Sequence, residues 1–162
     1  MKASDYQIII IGAGVVGLAV ARALAEKGKQ SVLIIDRETG FGRGISGRNS
    51  EVIHSGIYYP QNTLKSKYCI KGRDLLYQYC ASNNVFHQKC GKIIIADEYQ
   101  EEALMNLFHL GESKNLGALK ILSKKEISYY ESDINGSIGL RIDSTGIIDA
   151  HGLMNSFYQK SI

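Results

Sequence analysis

A glycine turn between two apolar runs constrains this chain more than any other feature. Gly12, Gly14 and Gly17 form a G-x-G-x-x-G pattern that directly follows the apolar run 6–11. A stretch with helical periodicity then leads to a second apolar run, which ends on Asp36. Strand, glycine turn, helix, strand and acid in this order are typical of a dinucleotide-binding β-α-β unit.

The three glycines have separate physical roles in such a turn. Gly12 permits the tight turn, Gly14 lets the backbone approach a pyrophosphate, and Gly17 lets the helix pack close to the strand. The helix N-terminus offers N–H groups and the positive end of its dipole to the phosphates. Asp36 can accept hydrogen bonds from a ribose diol and would repel a 2′-phosphate, which disfavours NADP. We therefore predict a right-handed β-α-β unit with parallel strands over residues 2 to about 36.

Composition restricts the classes of protein that the chain can belong to. Its 162 residues are about the length of one domain, and a hydrophobic content of 44% is enough for a core. The net charge of +3 is small and scattered, so no nucleic-acid partner is expected. The dinucleotide motif accounts for every glycine of the apolar N-terminal region, so we predict neither an export signal nor a transmembrane segment.

The cysteine pattern bears on compartment and on metals. Cys69, Cys80 and Cys90 share no C-x-x-C spacing. An odd and sparse count favours a reducing compartment with buried thiols, so we predict a cytoplasmic location. His87 and Cys90 lie three residues apart, but no second pair completes a metal site, and we expect no metal.

The pattern along the chain changes after the first β-α-β unit. A polar, glycine-rich loop over residues 39–47 is followed by a segment, 48–54, that we interpret as a short helix or turn. Thr63 is a plausible N-cap for a helix over 63–83. Further along, the sequence predicts strands over 92–96, 118–122, 138–142 and 147–148, a helix over 97–115, a brief helix with a Ser123–Glu126 capping box, and a last helix capped by Asp149.

Longer motifs narrow the class of protein. The glycine motif, residues 12–19, is shared broadly, whereas the run RNSEVIHSGIYYP over 48–60 is much more specific. The segments 64–65, 72–80, 90–96 and 144–149 continue the likeness, which covers essentially the whole chain. With these motifs the chain resembles the N-terminal part of the FAD-dependent oxidoreductases of the D-amino-acid oxidase superfamily. Within that superfamily the match is closest to the L-2-hydroxyglutarate oxidase/dehydrogenase family.

The resemblance implies an α/β fold in two parts. The first is a Rossmann-like FAD-binding β-α-β unit, incomplete here, within an FAD-binding segment over residues 1–84. The second is the start of an α+β substrate-binding domain over 85–148. Residues 149–162 would form a helix at a truncated C-terminus, because an amphipathic helix that ends without a cap or tail suggests an interrupted chain.

The resemblance also implies an FAD cofactor and a small 2-hydroxy acid as substrate. The diphosphate would lie on the glycine turn and the adenosine ribose on Asp36. Arg37 would flank the adenine or remain solvated. Five further residues occupy the loop that in relatives passes along the pyrophosphate and the flavin: Gly44, Ser46, Arg48, Asn49 and Ser50. The alternative for this loop is a turn that is capped by its own serine and asparagine side chains.

His54 is the predicted catalytic base. The hydroxyl proton of a 2-hydroxy acid must be removed as the hydride leaves carbon for flavin N5, and a histidine suits that role. The alternative is a structural histidine that only hydrogen-bonds to backbone or flavin. Arg73 and Lys92 are candidate cationic anchors for a dicarboxylate substrate, and the sequence does not choose between them.

Because relatives of this kind are much longer, three functional hypotheses remain. The first is an FAD-dependent 2-hydroxy-acid oxidoreductase represented by its N-terminal segment. The second is a non-catalytic remnant, or one half of a split flavoenzyme that needs a complementary C-terminal fragment. The third is an NAD-binding module, which is disfavoured because NAD-binding Rossmann domains continue with further β-α units after the acid. We expect the isolated chain to be inactive.

Overall fold

The computed structural model describes residues 5–29 and 31–162. The contacts divide the chain into two compact units, each of which combines separate segments. Unit 1 consists of Met1–Glu51, Cys80–Phe86 and Ile148–Ile162, and unit 2 consists of Val52–Tyr79 and His87–Ile147. The functional domains that we assigned to residues 1–84, 85–148 and 149–162 stay a prediction.

A β-α-β crossover forms the beginning of unit 1. Strand β1 (Ile8–Ile11) leads through helix α1 (Val15–Glu26) to strand β2 (Val32–Ile35). The two strands pair in parallel over their whole length, with Ile8 opposite Val32. The predicted parallel pair is therefore confirmed, while residues 2–4 of the predicted unit lie outside the described residues.

Gly17 lets α1 lie close to the turn that precedes it. A Cβ at this position would overlap the carbonyl oxygen of Gly12 and would lie 3.3 Å from the side chain of Ile10. The next residue, Leu18, is fully buried, so this face of the helix packs inward. Gly12 has a φ of +106°, which side-chain-bearing residues rarely adopt. The turn therefore needs glycine at both positions.

Helix α5 (Ala150–Gln159) packs against α1 within unit 1. Three apolar side chains of α5 are buried: Leu153, Met154 and Phe157. The predicted cap is confirmed, because the Asp149 carboxylate accepts the N–H of Gly152 at 2.8 Å. Glu51 adds a second acceptor at the same helix end, where its Oε1 accepts the N–H of Ala150 at 3.0 Å. Two carboxylates thus stabilise the positive end of α5.

Unit 2 is built around two small sheets. The first has the order β3-β8-β4, and its strands are β3 (Val52–Ile53), β4 (His87–Gln88) and β8 (Gly146–Ile148), the last residue of which belongs to unit 1. The second is antiparallel with the order β5-β7-β6, and its strands are β5 (Lys92–Ala96), β6 (Leu119–Ser123) and β7 (Ile138–Ile142).

The interpretation of residues 48–54 as a short helix or turn is wrong for its second half. A single 3₁₀ turn, Ile45–Gly47, precedes this segment, and Val52 and Ile53 form β3. Strand β3 pairs antiparallel with β8, opposite Ile147 and Gly146. The partner lies in a distant part of the sequence, and such pairing decides strand formation more than local propensity does.

The remaining helices of unit 2 are α2 (Leu64–Ser82), α3 (Glu101–Ser113) and α4 (Lys124–Tyr130). The last residues of α2 belong to unit 1, and a 3₁₀ turn at Glu98–Gln100 precedes α3. Thr63 is confirmed as a cap, because its Oγ1 accepts the N–H of Ser66 at 3.2 Å. The predicted capping box of Ser123 and Glu126 is also present. Lys120 and then the backbone N–H of Ser123 lower the pKa of Glu126 to about 2.

The core of unit 2 lies between its second sheet and α3, with one residue from the loop after β3. Six buried residues form it: Ile57, Ala96, Leu104, Leu116, Leu140 and Ile142. Gly111 allows this packing, since a Cβ there would lie 2.6 Å from Leu119 and 2.8 Å from Ile57. The loop after β3 is therefore fixed to the rest of unit 2 by the burial of Ile57.

The three cysteines are free thiols in three different environments. Cys80 is buried as expected, Cys69 is half-buried, and Cys90 is exposed, so the expectation of buried thiols is wrong for Cys90. Within residues 5–29 and 31–162, no group of three or more His, Cys, Asp or Glu side chains could hold a metal ion. In the same part of the chain, no helix combines the length and the apolarity that a bilayer crossing requires.

Replacement of Gly17 by alanine tests the close approach in the β-α-β unit. We expect Gly17→Ala to lower the free energy of unfolding by about 1–3 kcal/mol or more, because the added methyl group meets backbone that can only move as a whole. Gly72→Ala in α2 is the matched control, since a Cβ there meets nothing within 4 Å. That change should be neutral or stabilising by up to about 1 kcal/mol. Equal urea-unfolding midpoints for the two variants would contradict this account.

Candidate dinucleotide-binding site

The candidate site lies in unit 1, where β1 ends and α1 begins. The N–H of Gly12 donates to the carbonyl of Ile35 at 2.7 Å, which ties the turn to the end of β2. Gly14 precedes α1 with extended backbone and has no side chain to cap the helix. Because the first N–H groups of a helix have no partner inside it, this end of α1 is suited to bind an anionic group.

Ser46 reaches this helix end from the glycine-rich loop. Its Oγ accepts the N–H of Val15 at 3.0 Å, across 31 residues of sequence. A Cβ on Gly14 would lie 2.9 Å from the same oxygen, so glycine is needed for the hydroxyl to come this close. The structure thus brings together the glycine turn and one of the loop residues predicted to contact the cofactor.

Asp36 is exposed, and both of its carboxylate oxygens accept backbone N–H groups. Oδ2 accepts from Ala13 at 2.6 Å, and Oδ1 accepts from Glu38 at 2.9 Å. The hydrogen bond from Glu38, and then that from Ala13, hold the pKa of the Asp36 carboxyl below its usual value. The group therefore stays ionised near neutral pH, and its further lone pairs can accept a ribose hydroxyl.

A cavity of about 490 Å³ adjoins Asp36 within unit 1. This volume is in the range of about 300–1,000 Å³ that small-molecule sites occupy. Its lining combines the carboxylate with apolar side chains: Ala13, Leu18, Ile34, Ile35, Asp36, Glu38, Thr39, Gly40, Phe41 and Tyr158. An apolar wall beside a hydrogen-bond acceptor suits a base and its ribose.

Two aromatic rings of this cavity were missed by the sequence reasoning. Phe41 and Tyr158 stack with ring centroids 5.1 Å apart and an interplanar angle of 27°. Phe41 lies in the glycine-rich loop, whereas Tyr158 lies on α5 at the other end of the chain. No local pattern links residues so far apart, and only the packing of α5 within unit 1 reveals the pair.

The glycine-rich loop is held against both the turn and α5. The N–H of Gly42 donates to the carbonyl of Ala13 at 2.9 Å. Gly42 has a φ of +70°, and a Cβ there would lie 2.7 Å from Met154. A Cβ on Gly47 would overlap the carbonyl oxygen of Gly42. The loop is therefore ordered by close backbone contacts, which explains its unusual glycine content.

Asn49 matches the alternative reading of a turn capped by its own side chains. Its Nδ2 donates to the carbonyl of Ser46 at 2.9 Å, and its Oδ1 accepts the N–H of Glu51 at 2.7 Å. Glu51 has a φ of +55°, and the Asn49 contact stabilises this left-handed conformation. The amide of Asn49 is thus engaged in shaping the loop, and its contact with a cofactor stays a prediction.

The other loop residues have fewer contacts. Arg37 is 88% exposed and pairs with Glu38 at 3.3 Å, as expected for a solvated arginine. Three further predicted cofactor-binding residues are exposed: Gly44, Arg48 and Ser50. Their role in cofactor binding stays a prediction.

His54 belongs to unit 2, directly after β3. It is exposed, whereas Ser55, Gly56 and Ile57 after it are buried. The backbone carbonyl of His54 accepts a weak hydrogen bond from the Cys69 thiol at 3.5 Å. The buried residues that follow His54 hold its backbone in place, and its own side chain remains accessible.

Lys114 and Arg73 hold the loop after His54. The sequence analysis named Arg73 only as a candidate substrate anchor and did not single out Lys114. Lys114 donates to the carbonyls of Gly56 and Ile57, each at 3.2 Å, and also to that of Tyr59. Arg73 is only 8% exposed; its Nε donates to Asp74 at 2.8 Å, and its Nη1 contacts the carbonyls of Ser55 and Leu116 at 3.5 and 3.4 Å. Such pairing is what a buried guanidinium requires.

Comparison with known families identifies the class of protein. The family model described as DAO, FAD dependent oxidoreductase, matches residues 7–161. The chain therefore belongs to this family of FAD-dependent oxidoreductases. The FAD cofactor, the Rossmann-like α/β fold and the superfamily that the sequence motifs indicated are confirmed.

Two curated relatives refine this result. The chain is 44% identical over 154 residues to a mitochondrial L-2-hydroxyglutarate dehydrogenase of Arabidopsis thaliana, covering 94% of this chain and 32% of that protein. It is 36% identical over 158 residues to the mitochondrial L-2-hydroxyglutarate dehydrogenase of Homo sapiens, covering 96% of this chain and 34% of that protein. The chain is thus an FAD-dependent oxidoreductase segment that resembles these dehydrogenases and spans about a third of their length.

A solved structure supports the same fold. The dithionite-reduced L-alpha-glycerophosphate oxidase from Mycoplasma pneumoniae, with FAD bound, superposes with a TM-score of 0.87 at 28% identity. The superposition covers 94% of this chain and 41% of that chain. It supports a flavoprotein fold and not an NAD-binding module.

The predicted cytoplasmic location is wrong. The relatives from Arabidopsis thaliana and Homo sapiens are both named as mitochondrial proteins. The cysteine argument failed because a sparse count of free thiols indicates a reducing environment and does not identify the compartment.

Ser46→Ala tests whether the serine hydroxyl organises the N-terminus of α1. Removing the acceptor of the Val15 N–H should lower the free energy of unfolding by about 1 kcal/mol, as for loss of a helix cap. Ser50→Ala, an exposed serine of the same segment, is the control and should stay within about 0.5 kcal/mol of the parent protein. Equal stability of the two variants in urea denaturation would show that the Ser46 contact is dispensable.

Proposed function

We propose that this chain supplies the FAD-binding β-α-β unit and the catalytic base of an enzyme that oxidises L-2-hydroxyglutarate to 2-oxoglutarate. The observation that carries the proposal is the convergence of Ser46 Oγ and the Asp36 carboxylate on the backbone of Ala13 to Val15. Identity of 44% to an L-2-hydroxyglutarate dehydrogenase supports the choice of substrate.

The residues present fit the ADP half of FAD. Gly12, Gly14 and Gly17 would hold the diphosphate against the N-terminus of α1, where a Cβ on Gly17 has no room. Asp36 would accept the ribose hydroxyls, and the cavity beside it would receive the adenine. The loop residues Gly44, Ser46, Arg48, Asn49 and Ser50, with Arg37 beside the adenine, complete the proposed set. When bound, FAD supplies the acceptor for the hydride from C2 of the hydroxy acid.

His54 would supply the base. The substrate hydroxyl must lose its proton as C2 is oxidised to a carbonyl, and a neutral imidazole nitrogen can take that proton. The exposed side chain of His54 is accessible to a substrate, and the buried residues that follow it hold its backbone in place. A positioned base of this kind contributes about 10²- to 10⁴-fold to a rate.

A complementary segment forms the second part of the proposal. Three apolar side chains of β1 and α1 are largely exposed: Ile9 at 57%, Ile11 at 85% and Val16 at 74%. A two-stranded sheet with such exposure is marginal by itself. We expect the isolated chain to bind FAD weakly and to be inactive, and we expect activity when it is co-expressed with the remaining two thirds of the Arabidopsis thaliana relative. We call this assembly the complemented protein. A non-catalytic remnant would stay inactive in it.

Asp36→Ala should weaken the binding of FAD by the complemented protein. Loss of the acceptor for the ribose costs on the order of 1–3 kcal/mol, or about 5- to 150-fold in the dissociation constant. Glu26→Ala is the control, because Glu26 pairs with Arg22 at 3.0 Å on α1 and does not line the cavity beside Asp36. Flavin absorbance after dialysis measures retention. Unchanged retention in Asp36→Ala would contradict the ribose assignment.

His54→Ala should spare FAD and lower turnover. We expect kcat to fall about a hundredfold or more while the flavin absorbance is unchanged. His109→Ala is the control, since His109 is exposed on α3 and contacts Glu112 at 3.3 Å. Full turnover of L-2-hydroxyglutarate by His54→Ala would show that the base lies elsewhere.

A further inference from the structure

Lys92 occupies an unusual position in unit 2. It is the first residue of β5 and therefore lies on the same face of the strand as Ile94 and Ala96. Ala96 belongs to the buried core, and Ile94 packs against it. A lysine at the end of such a face can cover the core with its methylene groups while its ammonium remains at the edge.

The ammonium of Lys92 contacts an aromatic residue and, within residues 5–29 and 31–162, pairs with no carboxylate. Its Nζ donates to the Tyr58 hydroxyl at 3.1 Å and lies 4.2 Å from the centroid of the same ring. Among the ion pairs of the described residues, none involves Lys92. An ammonium has three donors, so this contact leaves donors for an anionic ligand. The tyrosine positions the charge without neutralising it.

Lys92 and His54 line the same small cavity. Its wall consists of His54, Ser55, Gly56, Ile57, Tyr58, Tyr59 and Lys92, all of which belong to unit 2. Its volume is about 10 Å³, which is room for about one water molecule. It can therefore receive one polar end of a ligand and not a whole hydroxy acid. The proposed base and a cation with available donors thus adjoin one recess.

Two other cations near this loop already use their donors within the protein. Arg73 is paired with Asp74 and with two backbone carbonyls. Lys114 donates to three backbone carbonyls, so its three donors are used. Lys65 lies 4.4 Å from the ring centroid of Tyr59 but does not line the cavity. Of the two candidate anchors that the sequence left open, the contacts favour Lys92.

We infer that Lys92 binds the distal carboxylate of the substrate and thereby selects dicarboxylic over monocarboxylic 2-hydroxy acids. This inference rests on the proposed function. Because the recess admits only an oxygen-sized group, Lys92 would hold one oxygen of the distal carboxylate there. The rest of the substrate would lie outside the recess, where the exposed side chain of His54 serves the hydroxyl at C2. Tyr58 is a positioning residue, because its ring and hydroxyl hold the ammonium.

The test compares two substrates that differ only at the distal end. L-2-hydroxyvalerate has a methyl group where L-2-hydroxyglutarate has its second carboxylate. In the complemented protein, Lys92→Met should raise KM for L-2-hydroxyglutarate about 10- to 100-fold, as for loss of a hydrogen bond to a charged group. KM for L-2-hydroxyvalerate should change less than about threefold, and kcat should change little for either substrate. Lys92→Arg, which keeps the charge, should restore most of the selectivity.

Binding of a non-reacting ligand gives a readout that does not depend on turnover. Calorimetry should show glutarate binding weakened by Lys92→Met to the same extent as KM, and pentanoate binding nearly unchanged. Lys65→Met is the matched control, since it removes a lysine that also lies over a tyrosine ring of this loop. Selectivity should be unchanged in that variant.

The outcomes separate the two proposals. Equal losses for both substrates in Lys92→Met, or no loss for either, would overturn the assignment of Lys92 while leaving the proposed function intact. A parent protein that reduces its flavin with neither hydroxy acid would instead overturn the proposed function, and the inference with it.

Discussion

The overlap that a Cβ on Gly17 would create with the carbonyl of Gly12 is the constraint on which unit 1 depends. It requires glycine at the point where α1 comes closest to the turn, and it sets the direction in which the helix leaves β1. Once the helix has that direction, its N-terminus lies beside the carboxyl end of β2, where Asp36 binds the N–H of Ala13. A helix end suited to an anion and an acid with further acceptor positions therefore lie together because of one packing requirement.

The features that the sequence predicted well are those whose causes are local. The spacing of Gly12, Gly14 and Gly17, the cap at Thr63 and the capping box at Ser123 each depend on residues within a few positions of one another. The parallel pairing of β1 with β2 follows from the crossover between them. The longer motifs identified the family because they extend over the whole chain.

The features that the sequence missed depend on contacts between distant residues. Strand β3 exists because β8 pairs with it, and the Phe41–Tyr158 stack exists because α5 packs in unit 1. The three carbonyls around the Lys114 ammonium form a site only after α3 and the loop following β3 have packed together. Nothing in the local pattern of a lysine after a helix distinguishes it from a solvated one.

Residue type alone does not decide which side chains can act on a ligand; the donors and acceptors that the fold leaves available decide it. Asn49 uses one N–H and one lone pair of its amide for Ser46 and Glu51, which leaves one of each for a cofactor. Asp36 also accepts two N–H groups, but a carboxylate has about four acceptor positions, so it can still bind a ribose. Counting the donors that remain available distinguishes the cations of unit 2 in the same way. Arg73 and Lys114 stabilise the loop that carries His54 because their donors are used by the protein, and Lys92 can act on a substrate because its donors are not.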